Sequence, residues 1–474
     1  MIANLKPYPA MKDSGVPWLG NVPEHWEMRR GKWLFRHRKQ INFDHSDSNV
    51  LSLTLRGVVN NDPDNPEGLV PNDYATYQLF RKGDLVFKLI DLENLRTSRV
   101  GLVHEDGIMS SAYVRLTPQK VIDMRFFFQQ YSDLYQRGIY NQLGAGVRST
   151  LGPTDLLNLS VVVPPLSEQT AIVRFLNYMD RRIRKYIRTK QKLIKLLEEQ
   201  KHVIIHRTVT TGLDPNVSLK PSGMEWLGEV PLHWEAVRVK HCARRISKGT
   251  TPSTEGRELL DSGPVRFLKV ENIVDGRITD KPLCFIDEKT NKLLRRSQLK
   301  EGDVLFVIAG ATLGKTTVVQ QYFLPANTNQ AVAFVRPNER VLPAYLALWL
   351  QSPRVKEMVW LNAVQSAQPN LSMADLGNFS FPLPPKEEQE QALVWLNAKL
   401  RNVTTTIEHA NREIALLHEY RTRLIADVVT GKLNVRDVEL PISDEAEALE
   451  GTDDAIEADI EEIIDSEEGA DGDE

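Results

Sequence analysis

KDSGVPWLGNVPEHWE, residues 12–27, returns as KPSGMEWLGEVPLHWE at residues 220–235, with eleven of the sixteen positions identical. A separation of 208 residues is several times the period of a solenoid repeat, so a unit of domain size is duplicated. Two further pairs keep the same order. Lys82-Gly83-Asp84-Leu85-Val86-Phe87 corresponds to Glu301-Gly302-Asp303-Val304-Leu305-Phe306, and VVVPPLSEQTAIVRFLN (161–177) to FPLPPKEEQEQALVWLN (381–397). Each unit then runs into a long periodic stretch closed by Thr-Gly, at Thr211-Gly212 and Thr430-Gly431. Between these anchors residues 37–80 and 245–298 share little. One frame around divergent interiors is what two binding modules with different ligands look like, although drift after duplication leaves the same pattern.

The periodic stretches begin after Pro164-Pro165 and Pro384-Pro385, at the charged starts Ser167-Glu168 and Lys386-Glu387. The first carries a seam of Ile172, Leu176, Met179, Ile183, Tyr186, Lys190, Leu193, Leu197, Gln200 and Ile204. The second carries Leu393, Leu396, Leu400, Val403, Ile407, Ala410, Ile414, Leu417, Arg421, Leu424 and Val428. Steps alternating between four and three are a/d heptads, and two such helices in one chain can bury their seams on each other. The order unit, helix, unit, helix predicts an antiparallel pair with approximate twofold symmetry. The alternative is that each helix packs only on its own unit. From Ile172 to Ile204 the helix spans roughly 48 Å, about one and a half turns of duplex DNA.

Each globular unit has short β-rich runs, such as Val50–Leu55 and Val332–Pro337, and fewer helical ones, such as Arg125–Tyr135 and Leu342–Gln351. This predicts an α+β fold with a curved sheet. Polar and basic residues collect in the intervening loops. In the first unit they are Lys88, Arg96, Thr97, Ser98, Arg99, Ser110, Ser111, Tyr113, Arg148 and Ser149. In the second they are Lys248, Thr250, Thr251, Lys269, Glu271, Asn272, Lys315, Thr316, Asn327, Asn329, Gln330, Gln365, Ser366, Gln368 and Asn370. Arg and Lys suit phosphates and guanine edges, Asn and Gln suit adenine, and each residue alone also fits a solvated loop.

Charge supports a polyanionic partner once it is located. From Asp444 to Glu474 there are 16 acidic residues and no basic one; removing them from the total of 63 leaves 47 Asp+Glu against 59 Lys+Arg, about +12 for residues 1–443. The acidic segment itself reads as a solvated, disordered extension that can compete with DNA for the basic surface. Cys242 and Cys284 form no ligand spacing or disulfide framework, which suits a reducing compartment. With neither a signal-peptide pattern nor an apolar run of membrane-spanning length, a soluble, cytoplasmic protein is expected, with no membrane partner.

Catalytic patterns are weak. AGATLGKTT (309–317) resembles a phosphate-binding loop but is one residue short, since Ala309 stands where the first glycine belongs. A glycine-rich hairpin is the preferred reading, and a nucleotide-dependent enzyme using Lys315 and Thr316 the alternative. A coiled-coil scaffold without a DNA role is a third. Gly144-Ala145-Gly146 is too short for a methyl-donor site, there is no Asn-Pro-Pro-aromatic or Asp-Pro-Pro-aromatic segment, and the ten histidines show no metal-ligand spacing. His25 and His233, beside Trp26 and Trp234, suit packing or capping. No catalytic residue and no metal ligand is assigned.

The frame WLGxVPxHWE, the GDxxF strand, the PPxxEQ start of a long helix and their joint duplication resemble the specificity (S) subunits of type I restriction-modification systems, over residues 5–433. The resemblance implies two target-recognition domains, each reading half of a split site in double-stranded DNA. It implies that the two helices form an antiparallel coiled coil between them. The division it suggests is 1–165 and 213–385 for the recognition domains, 166–212 and 386–433 for the spacer helices, and 434–474 for the acidic tail. It implies two methyltransferase (M) subunits and restriction/translocase (R) subunits as partners, which would hold S-adenosylmethionine, ATP and Mg, with no cofactor in this chain. SKGTTPS (247–253), LKVENI (268–273), NTNQAV (327–332) and QSAQPNLS (365–372) resemble the family's DNA-facing loops; FKLIDLENLRTSR (87–99), SSAY (110–113) and GVRSTL (146–151) resemble them in position.

Overall fold

The computed structural model describes residues 5–62, 71, 73–90, 98–143, 151–223, 227–274, 276–310, 312–352, 355–359 and 370–441. They form two compact units, one from residues 5–190 with 412–441 and one from residues 191–411.

In chain order the first unit contains β1 (Met11–Asp13), β2 (Asn21–Pro23), β3 (Glu27–Arg30), β4 (Phe35–His37), β5 (Leu51–Thr54), β6 (Gly57–Asn60), β7 (Gln78–Phe80), β8 (Leu85–Phe87), β9 (Val100–Leu102), β10 (Gly107–Met109) and β11 (Val114–Pro118). Helices α1 (Met124–Gln136), α2 (Ile139–Leu143) and α3 (Pro153–Asn158) follow, then β12 (Ser160–Val163). Helix α4 (Leu166–Thr211) starts in the first unit and ends in the second. The second unit continues with β13 (Leu219–Pro221), β14 (Glu229–Pro231), β15 (Glu235–Arg238), β16 (Ala243–Lys248), β17 (Val265–Leu268), β18 (Ile273–Val274), β19 (Arg277–Ile278) and β20 (Phe285–Ile286). It is completed by α5 (Glu288–Leu293), β21 (Val304–Val307), β22 (Thr316–Val318), β23 (Ala326–Thr328), β24 (Val332–Pro337), α6 (Pro343–Leu350), α7 (Met373–Asn378) and β25 (Ser380–Leu383). Helix α8 (Lys386–Val429) starts in the second unit and ends in the first.

The duplication read in the sequence is a duplication of topology. The main antiparallel sheet has the order β4-β11-β8-β9 in the first unit and β16-β24-β21-β22 in the second. In both, a hairpin (β1-β2, β13-β14) precedes a strand pair that ties the unit's start to its end (β3-β12, β15-β25). The central strands β8 and β21 are the GDxxF segments. Their apolar runs are buried at every position, as central strands covered on both faces require. The preceding Asp84 and Asp303 accept from the backbone of Arg81 (2.7 Å) and Lys300 (2.8 Å), closing the turn that Gly83 and Gly302 make at positive φ.

Within each unit, parts of the two long helices pack together. In the first, Ile172, Leu176 and Met179 of α4 share a core with Leu424 and Val428 of α8. Asp180 receives Arg421, and Lys190 lies 2.6 Å from Glu413, so partners descend in number along α8 as they rise along α4. That is antiparallel pairing. In the second unit Ile205 and Val209 share a core with Ala392 and Leu396, with half-buried Leu400 against it. The remaining seam is shallower than the heptads imply: Leu197, Ile204, Val403, Ile407, Ile414 and Leu417 are half-buried, Leu193 is 38% exposed and Tyr186 52%. A helix pair covers one side only. Ile183 and Ala410 of the seam are buried all the same, and Phe175 and Tyr178 of α4 lie in the first unit's core.

Candidate nucleic-acid interface

The sheet registers of the second unit bring several loops to one end. Strand β16 stops at Lys248, beside the start of β24; Gly249 N–H donates to Val332 O (3.1 Å) and Thr250 N–H to Thr328 O (3.1 Å). A side chain at Gly249 has no room, because a Cβ there would lie 2.0 Å from the carbonyl oxygens of Thr328 and Asn329. Parallel pairing of β17 with β23 sets Leu268 opposite Thr328, so Lys269 emerges beside Asn329. Strand β21 ends next to the start of β24, and Ala309 bridges to Asn370. The turn back to β22 puts Lys315 O on Val307 N–H (2.8 Å).

Lys248, Thr250, Thr251, Lys269, Lys315, Asn329, Gln330 and Asn370 therefore share this end, with Lys248, Lys315, Gln330 and Asn370 exposed. Glu271 is exposed in the short turn after Lys269. Three other candidates point inward. Asn272 accepts from Lys269 N–H and donates to Thr279 O and Pro282 O (3.0 and 2.8 Å); Asn327 donates to Asn291 and Leu294 O; Thr316 donates to Gly314 O. Their polar groups are used inside the loops they shape. Gln365, Ser366 and Gln368 lie outside the described residues.

The first unit builds the equivalent end from different residues. Lys88 leaves β8 with its N–H on Arg99 O (3.1 Å), and Ser98 donates to Val100 O (2.8 Å). The Arg99 side chain is fully buried and donates to Ile90 O (3.2 Å), which makes it a loop strut. Ser110, Ser111 and Tyr113 form the turn between β10 and β11, which buried Gln78 holds by donating to Ser110 O (3.1 Å) and Tyr113 O (2.6 Å). Burial, then neighbouring Tyr77, raises the Tyr113 hydroxyl pKa. Arg96, Arg148 and Ser149 lie outside the described residues. Both units treat the chain after these loops alike: Leu151 N–H donates to Leu89 O (3.0 Å), and Leu371 N–H to Ile308 O (2.8 Å).

Sequence reasoning missed Arg38, Lys39, Gln40 and Phe43. All are exposed in the loop after β4, the counterpart of the loop after β16, and Asn42 N–H ties that loop to Tyr77 O (2.9 Å). The signal available was a basic run, RHRK (36–39), that continues out of the end of β4.

The frame behind these loops is stiffened by buried charge. Arg115 donates to Asp84 (2.6 Å), and Arg336 grips Asp303 through Nε and Nη2 (2.7 and 2.8 Å), joining the same two strands in each unit. Burial, opposed by the backbone N–H of Arg81 and then by Arg115, raises the Asp84 pKa. The repeated HWE and PPxxEQ motifs also meet. Glu168, on the first turn of α4, takes His25 Nε2 (2.7 Å), Trp26 Nε1 (2.9 Å) and the Tyr8 hydroxyl (3.1 Å). Glu388, on the first turn of α8, takes His233 (2.7 Å) and Trp234 (2.9 Å). Gln169 and Gln389 accept from the backbone at Asp123 and Leu342, one residue from the starts of α1 and α6 (2.8 Å each). The two histidines serve to anchor the helices.

Residues 312–315 lead straight into strand β22, and Leu313 N–H closes on Gly310 O (3.1 Å). A phosphate-binding loop instead opens a helix whose N-terminus faces the phosphates, so the strand that follows here has no such donor end to offer. Among the described residues no group of three or more His, Cys, Asp or Glu is arranged to hold a metal, and no helix is long and apolar enough to cross a membrane.

Comparison with known proteins places these features in one family. The "Type I restriction modification DNA specificity domain" pattern matches residues 23–196 and 231–417, once per repeat. Two curated relatives from Methanocaldococcus jannaschii are similar. The type I restriction enzyme MjaVIII specificity subunit is 25% identical over 70% of this chain and 76% of its own length. The putative type I restriction enzyme MjaX specificity subunit is 24% identical over 88% and 96%. A chain from a solved structure, described as showing complex assembly and conformational transition of the type I R-M system, shares the fold, with a TM-score of 0.63 and 17% identity over 87% of this chain and 99% of that one. With a duplicated recognition frame, loops gathered at one end of each unit and two matches to the family pattern, the chain belongs to the type I restriction-modification DNA specificity family.

Proposed function

We propose that the loop end of each unit reads one half of a bipartite site in double-stranded DNA, and that the chain is the non-catalytic specificity subunit of a larger complex. The observation that carries this reading is one strand order delivering two different sets of polar side chains to equivalent strand ends. Identical scaffolds with different loops suit two different half-sites. Adenine methylation, translocation and cleavage then belong to two methyltransferase subunits and to restriction subunits, which hold S-adenosylmethionine, ATP and Mg. The length of helix between the recognition modules sets the number of base pairs left unread.

Exchanging residues 245–380 for the equivalent segment of another family member tests the assignment. Methylated-base mapping should show one half-site changed, with the other half and the gap retained. Lengthening α4 before Thr211 should alter the gap alone. A change in both half-sites from either manipulation would overturn the assignment.

A further inference from the structure

The two long helices differ in charge. Helix α4 carries eleven Lys and Arg against four Asp and Glu, whereas α8 carries six against seven. Within the first unit Arg181, Lys185 and Arg188 follow a four-then-three spacing. At 3.6 residues per turn, Lys185 lies about 200° around the helix from Ile183 and from Ile187. Those two are buried, so Lys185 is on the outer face; Lys185 and Arg188 are both exposed.

The residues after α8 stay beside the start of α4. Asn434 N–H donates to Lys6 O (2.9 Å), Arg436 lies 3.6 Å from Glu168 and stacks on Tyr8, and half-buried Val438 and Leu440 pack against the first unit's core. Lys185 and Arg188 are 17 and 20 residues along α4 from Glu168, about 25–30 Å. The segment from Asp444 to Glu474 has 31 residues, 16 of them acidic and none basic. Its contour, on the order of 100 Å, covers that distance several times over.

We propose that the segment Asp444–Glu474 docks on the basic outer face of α4 around Lys185 and Arg188, where it occupies a polyanion-binding surface that DNA phosphates can also use. Charge complementarity selects the occupant, and its attachment beside the foot of α4 selects the face. Competition with DNA rests on the function proposed above; the docking does not.

Carbodiimide cross-linking of the full chain without DNA, with mass-spectrometric mapping, tests the docking by itself. Lys185 should be joined to carboxylates of 444–474, and the product should vanish in Lys185→Gln and in about 0.5 M salt, where screening is complete within a few ångströms. Links from this segment only to Lys248, Lys269 or Lys315, only to partner subunits, or to nothing would overturn the proposal. Deleting 444–474 should also raise duplex affinity of the complex with methyltransferase subunits about tenfold at low salt. That gain should shrink when Lys185→Gln and Arg188→Gln are present. An undiminished gain in the double variant would likewise overturn it. Failure of every form to bind duplex would count against the DNA-reading function and leave the cross-linking result standing.

Discussion

At the scale of single residues, the buried carboxylates are the most open to test. Asp303 is fully buried and answered by the Arg336 fork, so Arg336→Ala strands a charge in a low-dielectric interior. It should destabilise the second unit by about 3–5 kcal/mol in chemical denaturation. Glu168 and Glu388 hold equivalent anchors in different surroundings: the Glu168 side chain is 8% exposed and that of Glu388 37%. Glu168→Ala leaves the Trp26 indole and the Tyr8 hydroxyl buried without their acceptor, at about 1–3 kcal/mol each. Glu388→Ala should cost distinctly less, and equal losses would show that burial is not the deciding factor. At the loop ends, charge and shape separate. Lys248→Gln and Lys315→Gln should weaken binding to all duplexes alike and lower the salt-dependence slope by about 0.9 for each phosphate no longer neutralised. Residue type alone did not reveal which loop polar groups face outward: Asn272 and Asn327 look like adenine readers in sequence, yet their amides are engaged internally.

At the scale of elements, the long helices were legible because their signals are local: prolines before the start, heptads along the length and glycine at the stop. Their partners were less legible, since the anchors join residues far apart in sequence, such as His25 and Glu168. Nor does a heptad record which stretch a globular module will cover. Leu424→Ala, at a deeply buried seam position, should therefore cost about 2–5 kcal/mol. Leu193→Ala, where the seam is 38% exposed, should cost about 1 kcal/mol or less. The stops differ in the same way. Gly212 and Gly431 both have positive φ, but a Cβ at Gly431 would meet Pro23 at 2.3 Å, while at Gly212 the nearest atom is in the Trp234 ring at 3.1 Å. Gly431→Ala should lower the melting temperature more than Gly212→Ala, because local strain is common to both and the collision with proline is not.

At the scale of the whole molecule, the first unit is not one continuous stretch of sequence: it joins residues 5–190 to residues 412–441. The first unit's core takes Leu424, Val428, Val429 and Val435 from the end of α8 and beyond it, next to Trp26, Phe126 and Met179. Repeated anchors mark where similarity begins and leave unsaid which core a helix end will fill. In the second unit one continuous run, from Thr211 to Pro221, leads from the helix stop into β13; in the first, Lys6 and Asn434 belong to separate segments held by a backbone hydrogen bond. A chain ending after Asn411 would lose all four buried side chains from the first core while keeping Ala392 and Leu396 in the second. Limited proteolysis should then cut rapidly within residues 5–190 and leave 191–411 resistant. A chain ending after Pro441 should resist at both. Equal resistance of the two truncated forms would mean that the first unit folds without the end of α8, and the two-segment construction of that unit would have to be abandoned.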